Sequence, residues 1–180
     1  MTNLFSLFKL KLEDINKVLD DPHAIGMHLM YKTGREWDHA IYIGIEHGKY
    51  MFIRNHSWRW KGGGKNIEKR ELSKLLSIES PIIYKVVYKM INPESDLIAR
   101  TRALEAFDMY ETLRKNHGEE FEKLVEDHRK GIDTYAAERK WNSDSKCYNY
   151  ANQFTSASFA FWCYTGHIVN ITDDDILKYL

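Results

Sequence analysis

The chain has 180 residues, 43% of them apolar and 29% charged, a mixture that excludes a disordered tail and suits one folded core of single-domain size. Lys plus Arg balance Asp plus Glu at 26 each, so no overall field draws the chain to nucleic acid, and no nucleic-acid partner is expected. No apolar run approaches the ~20 residues of a membrane helix, and Lys9 and Lys11 interrupt the apolar start before it reaches signal-peptide length, so a cytoplasmic protein is expected.

Leu4, Phe5, Leu7, Phe8, Leu10 and Leu12 form an apolar N-terminal arm that either packs on the core or touches a membrane. Glu13 to Asp20 reads as a short helix or turn, ended by Asp21-Pro22. Gly26 to Tyr31 reads as a strand, Lys32-Thr33-Gly34-Arg35 as a turn and His39 to Gly44 as a second strand, together a hairpin. Gly48 turns the chain into a third strand, Lys49 to Arg54. Trp58-Arg59-Trp60-Lys61 with three following glycines predicts a mobile loop. Trp58 and Trp60 join the N-terminal arm as candidates for peripheral membrane contact, set against an ordinary loop packed by one tryptophan.

Glu71 to Leu76 predicts a helical turn, and Ile82 to Tyr88 a central strand. Asn92-Pro93-Glu94 supplies a cap, a proline at the first helical position and an early carboxylate, so a helix is expected from about Glu94 to Asn116. Gly118 predicts a break, followed by a charged helix from Glu119 to Lys130 that reads as an insertion within a helical region of about 94–140. The last strong element begins near Cys147 and runs to Tyr164, where Thr165-Gly166 ends it. The fold class expected is α+β, a small antiparallel sheet of about 4–6 strands packed against a C-terminal helix that carries the cysteine.

Only Cys147 and Cys163 are present, too few for a disulfide framework. Asn142-Ser143-Asp144-Ser145 offers N-cap candidates that set Cys147 in a first helical turn. There the helix dipole and unpaired N–H groups favour a thiolate and can hold a developing oxyanion. The alternative is a small buried apolar residue. Cys163 lies 16 residues on, about 160° around and ~24 Å along the same helix, which rules out a disulfide between the two and makes Cys163 structural.

A thiol nucleophile needs a base within hydrogen-bond reach, usually histidine, and eight histidines compete. His117 and His128 fall in the charged segment, ~16 Å apart if helical, which excludes a shared metal. His39 opens an apolar strand, where an imidazole either packs or is held rigidly with its edge facing a cleft. No cofactor and no metal are expected.

The run Gly26-Met27-His28-Leu29-Met30-Tyr31, a short turn, Asp38-His39-Ala40-Ile41-Tyr42-Ile43-Gly44 and then Gly48-Lys49-Tyr50 resembles the H-box of lecithin:retinol acyltransferase-like proteins. That family is a circularly permuted branch of the NlpC-type, papain-like thiol hydrolases. The order of elements is similar as well, with the Ile82 to Tyr88 strand, a helix near Arg100 to Leu104 and a cysteine helix ending in Phe161-Trp162-Cys163-Tyr164-Thr165-Gly166. The resemblance covers about Gly26 to Gly166, minus the insertion, within a single domain of residues 1–180.

It implies Cys147 as nucleophile, His39 as base and a polar group after the third strand to orient the imidazole. His56 is the choice for that group and Asn55 its rival, since a one-residue slip swaps their faces. Where the family usually has Asn before the cysteine and Glu-His-Phe after it, this chain has Lys146 ahead and Tyr148-Asn149-Tyr150 behind. The implied activity is a thiol-dependent acyltransferase or hydrolase acting on a small-molecule or lipid acyl substrate such as a phospholipid ester. The alternatives are a cysteine amidase or peptidase with the same dyad, and a non-catalytic interaction module of the viral H-box kind. Oligomeric state is left open.

Overall fold

Alternation along the strands decides where the apolar side chains go, and here it sends two sets to opposite faces of one sheet. The computed structural model describes residues 4–34, 36–57, 65–76, 80–89, 95–129, 155–167 and 169–180. Among the described residues six strands form an antiparallel sheet: β1 Phe5–Leu10, β2 His28–Thr33, β3 Glu36–Glu46, β4 Lys49–Ser57, β5 Lys65–Glu71 and β6 Ile82–Tyr88. Their order is β1-β6-β2-β3-β4-β5. Five α-helical elements accompany them among the described residues: α1 Ile15–Asp20, α2 Leu72–Leu75, α3 Ser95–Arg129, α4 Ser156–Thr165 and α5 Asp173–Leu177. The protein is therefore α+β, as the sequence implies.

The β2–β3 and β3–β4 hairpins stand where Gly34 and Gly48 mark turns, and β6 lies inside the sheet between β1 and β2. The N-terminal arm is a strand. Phe5 of β1 is buried against Tyr88, Phe161 and Tyr179, with ring centroids 5.1, 6.2 and 5.6 Å away, while Phe8 on the opposite face of the strand is exposed. A further strand, β5, begins at Lys65, the residue that closes the predicted loop, and pairs along β4. Trp58, Trp60 and the three glycines lie outside the described residues.

One face carries Met30, Ile41, Ile53, Ile67 and Val86 beneath α3, α4 and α5; the other carries Leu29, Tyr31, Tyr42, Phe52 and Ile83 beneath α1 and α2. On the first face α3 presents Ala99, Ala103 and Ala106, all buried, a spacing that lines up small side chains so that the helix lies close to its neighbours. Arg100 Nε donates to the carbonyl of Ile43 at 2.9 Å and Arg102 Nη1 to that of Cys163 at 3.0 Å, fixing α3 to β3 and to α4. The run Ser95–Arg129 is two helical stretches that meet at Gly118, whose non-helical φ of 44° and ψ of −117° break it where the sequence implies. Among the described residues no helix is long and apolar enough to cross a membrane.

Candidate functional site

His39 lies on the α4 face of β3, fully buried, and both its ring nitrogens are engaged. Nδ1 is 2.8 Å from Nε2 of His28, and Nε2 is 2.7 Å from Oδ1 of Asp173. His28 in turn places Nδ1 2.9 Å from the hydroxyl of Tyr88. A continuous chain therefore runs from Tyr88 through His28 and His39 to Asp173.

Each member is set by its element. In the β2–β3 ladder Met30 pairs with His39 and His28 with Ile41, so the two histidines share a face one diagonal step apart, close enough for their rings to meet. His28 also pairs with Val86, two residues from Tyr88 and on the same face of the sheet. Tyr88 stacks on Tyr164 of α4, centroids 4.2 Å apart and planes 8° apart. Asp173 arrives from the C-terminal segment. Thr155 caps α4 by accepting from the N–H of Ser158 at 3.1 Å, and the N–H of Ile171 donates to Ser158 Oγ at 2.8 Å. Thr172 and Asp175 then form a capping box that starts α5, Ile176 is buried in the core, and Asp173, first residue of the helix, faces His39.

Partners fix the protons. Asp173 as a carboxylate only accepts, so with both rings neutral His39 donates from Nε2, accepts at Nδ1 from His28 Nε2–H, and His28 Nδ1 accepts from the Tyr88 hydroxyl. Burial, with the nearby His39 adding to it, holds the His28 pKa well below the ordinary histidine value. Burial likewise pushes the Tyr88 hydroxyl well up, with Cys163 contributing, so it keeps its proton. Both histidines are fully buried, whereas the Asp173 side chain is 40% exposed. The nitrogen of His39 on the side of the exposed carboxylate is Nε2.

The low pKa of His28 has a stability consequence. As pH falls below the unfolded histidine value of about 6.5, the unfolded chain takes up a proton at this position that the folded chain refuses, so stability drops by up to ~1.4 kcal/mol per pH unit. Urea unfolding near pH 5 should show about 2 kcal/mol less stability than near pH 7 from this residue, and His28→Gln should remove that part of the slope. An unchanged slope in His28→Gln would show that His28 titrates normally.

On the far side of β3, Asp38 accepts the backbone N–H of His39 at 2.9 Å through Oδ1 and binds Arg54 Nη1 at 2.9 Å through Oδ2. Arg54 also reaches Glu68 at 2.7 Å and the Tyr31 hydroxyl at 2.8 Å. Burial opposes the charge on Arg54, but Tyr31, Asp38 and Glu68 outweigh it and raise its pKa.

Of the residues singled out from sequence, Cys147 and its candidate caps Asn142 to Ser145 lie outside the described residues, and the helix expected to begin near Cys147 begins instead at Ser156, because Thr155, extended and accepting from the N–H of Ser158, caps it there. Asn55 is fully buried, and continuing the Ile41–Ile53 register by two residues sets it opposite His39 on the α4 face. His56 pairs with Asn66 in the β4–β5 ladder, and its side chain is not among those described. Cys163 is buried in the core beside Tyr164. Sequence reasoning missed His28, Tyr88 and Asp173 as partners of His39. Among the described residues no group of three or more His, Cys, Asp or Glu side chains is placed to hold a metal ion. Comparison with protein-family models, with curated proteins and with solved structures finds no match.

Proposed function

We propose that the chain is a thiol-dependent acyltransferase or hydrolase of the permuted papain-like kind, in which His39 is the base and Cys147 the nucleophile, acting on an acyl ester such as that of a phospholipid. The observation that carries this reading is the setting of His39: a buried imidazole held at Nδ1 by His28 and bonded at Nε2 to a partly exposed carboxylate. Such orientation of a ring by fixed partners is what nucleophile activation requires. The segment leading into α4 joins the site at Thr155, close in the chain of contacts to Ile171 and Asp173. Cys147 is eight residues ahead of Thr155, a tether of at most about 28 Å.

In the proposed reaction His39 takes the proton from Cys147 Sγ, and the thiolate attacks the acyl carbonyl. A thioester forms as the leaving oxygen departs with the proton from the imidazolium, and the acyl group then passes to an amine or to water. His28, bonded to Nδ1, supplies the orienting contact that the sequence resemblance assigns to His56 or Asn55. A second reading, a non-catalytic interaction module, is favoured by one observation: in this structure both nitrogens of His39 already have protein partners.

Iodoacetamide labelling at pH 7 separates the two. A paired Cys147 should react about 10- to 30-fold faster than an ordinary thiol, which is only a few per cent thiolate at that pH. His39→Ala should return it to the ordinary rate, and buried Cys163 should stay unmodified. Mixing with short-chain phosphatidylcholine should add a hydroxylamine-sensitive acyl group at Cys147, read by intact-protein mass spectrometry. Ordinary Cys147 reactivity with no adduct from lipid, ester or amide donors selects the interaction module; amide cleavage alone selects an amidase.

A further inference from the structure

We propose that His28 and Tyr88 are positioning residues that set which ring nitrogen of His39 is basic, and that Asp173 holds the chain in its resting direction. The inference rests on His39 as base, but its test reads His39 directly.

Three of the four groups in the chain can work in either sense. A neutral imidazole donates from one nitrogen and accepts at the other, and a tyrosine hydroxyl does both. Tyr88 donating to His28, His28 Nε2–H to His39 Nδ1 and His39 Nε2–H to Asp173 satisfies the 2.9, 2.8 and 2.7 Å contacts in one sense. In the other sense His39 Nδ1–H donates to His28 Nε2, His28 Nδ1–H donates to the Tyr88 oxygen, and the Tyr88 proton turns away. Each histidine carries one proton in both arrangements, so no net charge is gained or lost. Only the second leaves a lone pair on Nε2 of His39, the nitrogen on the side of the exposed Asp173.

Asp173 is the one member restricted to accepting, and its contact is charge-assisted. It therefore favours the first sense, in which Nε2 already bears a proton, and Nε2 is basic only in the fraction of molecules that adopts the second. His28 and Tyr88 are what make the second sense available, because they accept the Nδ1 proton once Asp173 withdraws. Their depth supports this role. A fully buried imidazole beside a buried hydroxyl costs desolvation that a phenylalanine and a leucine in the same core would avoid. The member that has to move is the shallow one, 40% exposed on a five-residue helix.

The test is two-bond nitrogen–proton correlation NMR on the whole chain labelled with ¹⁵N histidine, with the His39 signals assigned from His39→Gln. Wild type should show His39 as the Nε2–H tautomer. Asp173→Asn, in which the amide can donate to Nε2, should shift the tautomer ratio toward Nδ1–H by about tenfold or more, the effect of losing one charge-assisted hydrogen bond. The shift should survive in His28→Gln, whose amide can still accept from Nδ1, and vanish in His28→Phe. A wild-type Nδ1–H tautomer, or no shift in Asp173→Asn, overturns the proposal. If the shift occurs and Cys147 labelling does not quicken with it, the chain stands and the role of His39 as base falls.

Discussion

Gly26→Ala should destabilise the protein by about 4 kcal/mol or more, enough to leave little folded material. Gly26 has φ +94°, and a Cβ there would lie 1.9 Å from the backbone carbonyl oxygen of Asp96 in the first turn of α3. Neither side can retreat easily. The Gly26 N–H donates to the Tyr42 carbonyl at 2.7 Å, and the Gly26 carbonyl accepts from the Tyr164 hydroxyl, which also reaches Asp96 at 2.7 Å. Gly34 provides the control, because it has φ +85° with open space around its missing Cβ. Gly34→Ala should therefore cost only the backbone strain, about 1 kcal/mol. Urea unfolding of both variants isolates the close approach; equal losses would mean that the turn before β2 and α3 do not meet at this point.

Arg54→Met should cost about 3 kcal/mol, since it leaves Asp38, Glu68 and the Tyr31 hydroxyl around an apolar side chain. The lower end of the range for a broken buried pair applies, because Asp38 and Glu68 are 20% and 24% exposed and water screens them in part. Adding Asp38→Asn and Glu68→Gln to Arg54→Met should recover part of the loss. Unfolding midpoints check both statements, and a single-variant cost below about 1 kcal/mol would place this cluster among ordinary surface ion pairs. The effect should reach His39, whose backbone N–H is held by the same Asp38.

The sheet was readable because its turns and periods are local. Gly34 and Gly48 sit where they close hairpins, and the apolar run of β6 is continuous. β5 was not readable, because Lys65–Glu71 holds one apolar residue, Ile67, among charges; its strand character comes from pairing with β4. The apolar arm Leu4–Leu12 has strand composition, but only its ladder with β6 decides between packing and exposure. The paired histidines were half legible. A hairpin closing on Thr33 and Glu36 pairs residues whose numbers sum to 69, which sets Met30 against His39 and His28 one step along the same face. Asp173 was not legible at all. Thr172 and three acidic residues signal a helix start, but nothing local says that the start meets β3.

The relay from Tyr88 to Asp173 also dictates the order in which the molecule can be completed. β2, β3 and β4 are consecutive hairpins and can zip as soon as they leave the ribosome, bringing His28 and His39 together early. β1 is made before β2 but waits for β6, its ladder partner among the described strands, and Tyr88 arrives with that strand. Until residue 173 emerges, His39 faces outward from a growing sheet with no carboxylate on Nε2. The candidate base is thus assembled from the β2–β3 hairpin outward and completed by the later segment that carries Asp173.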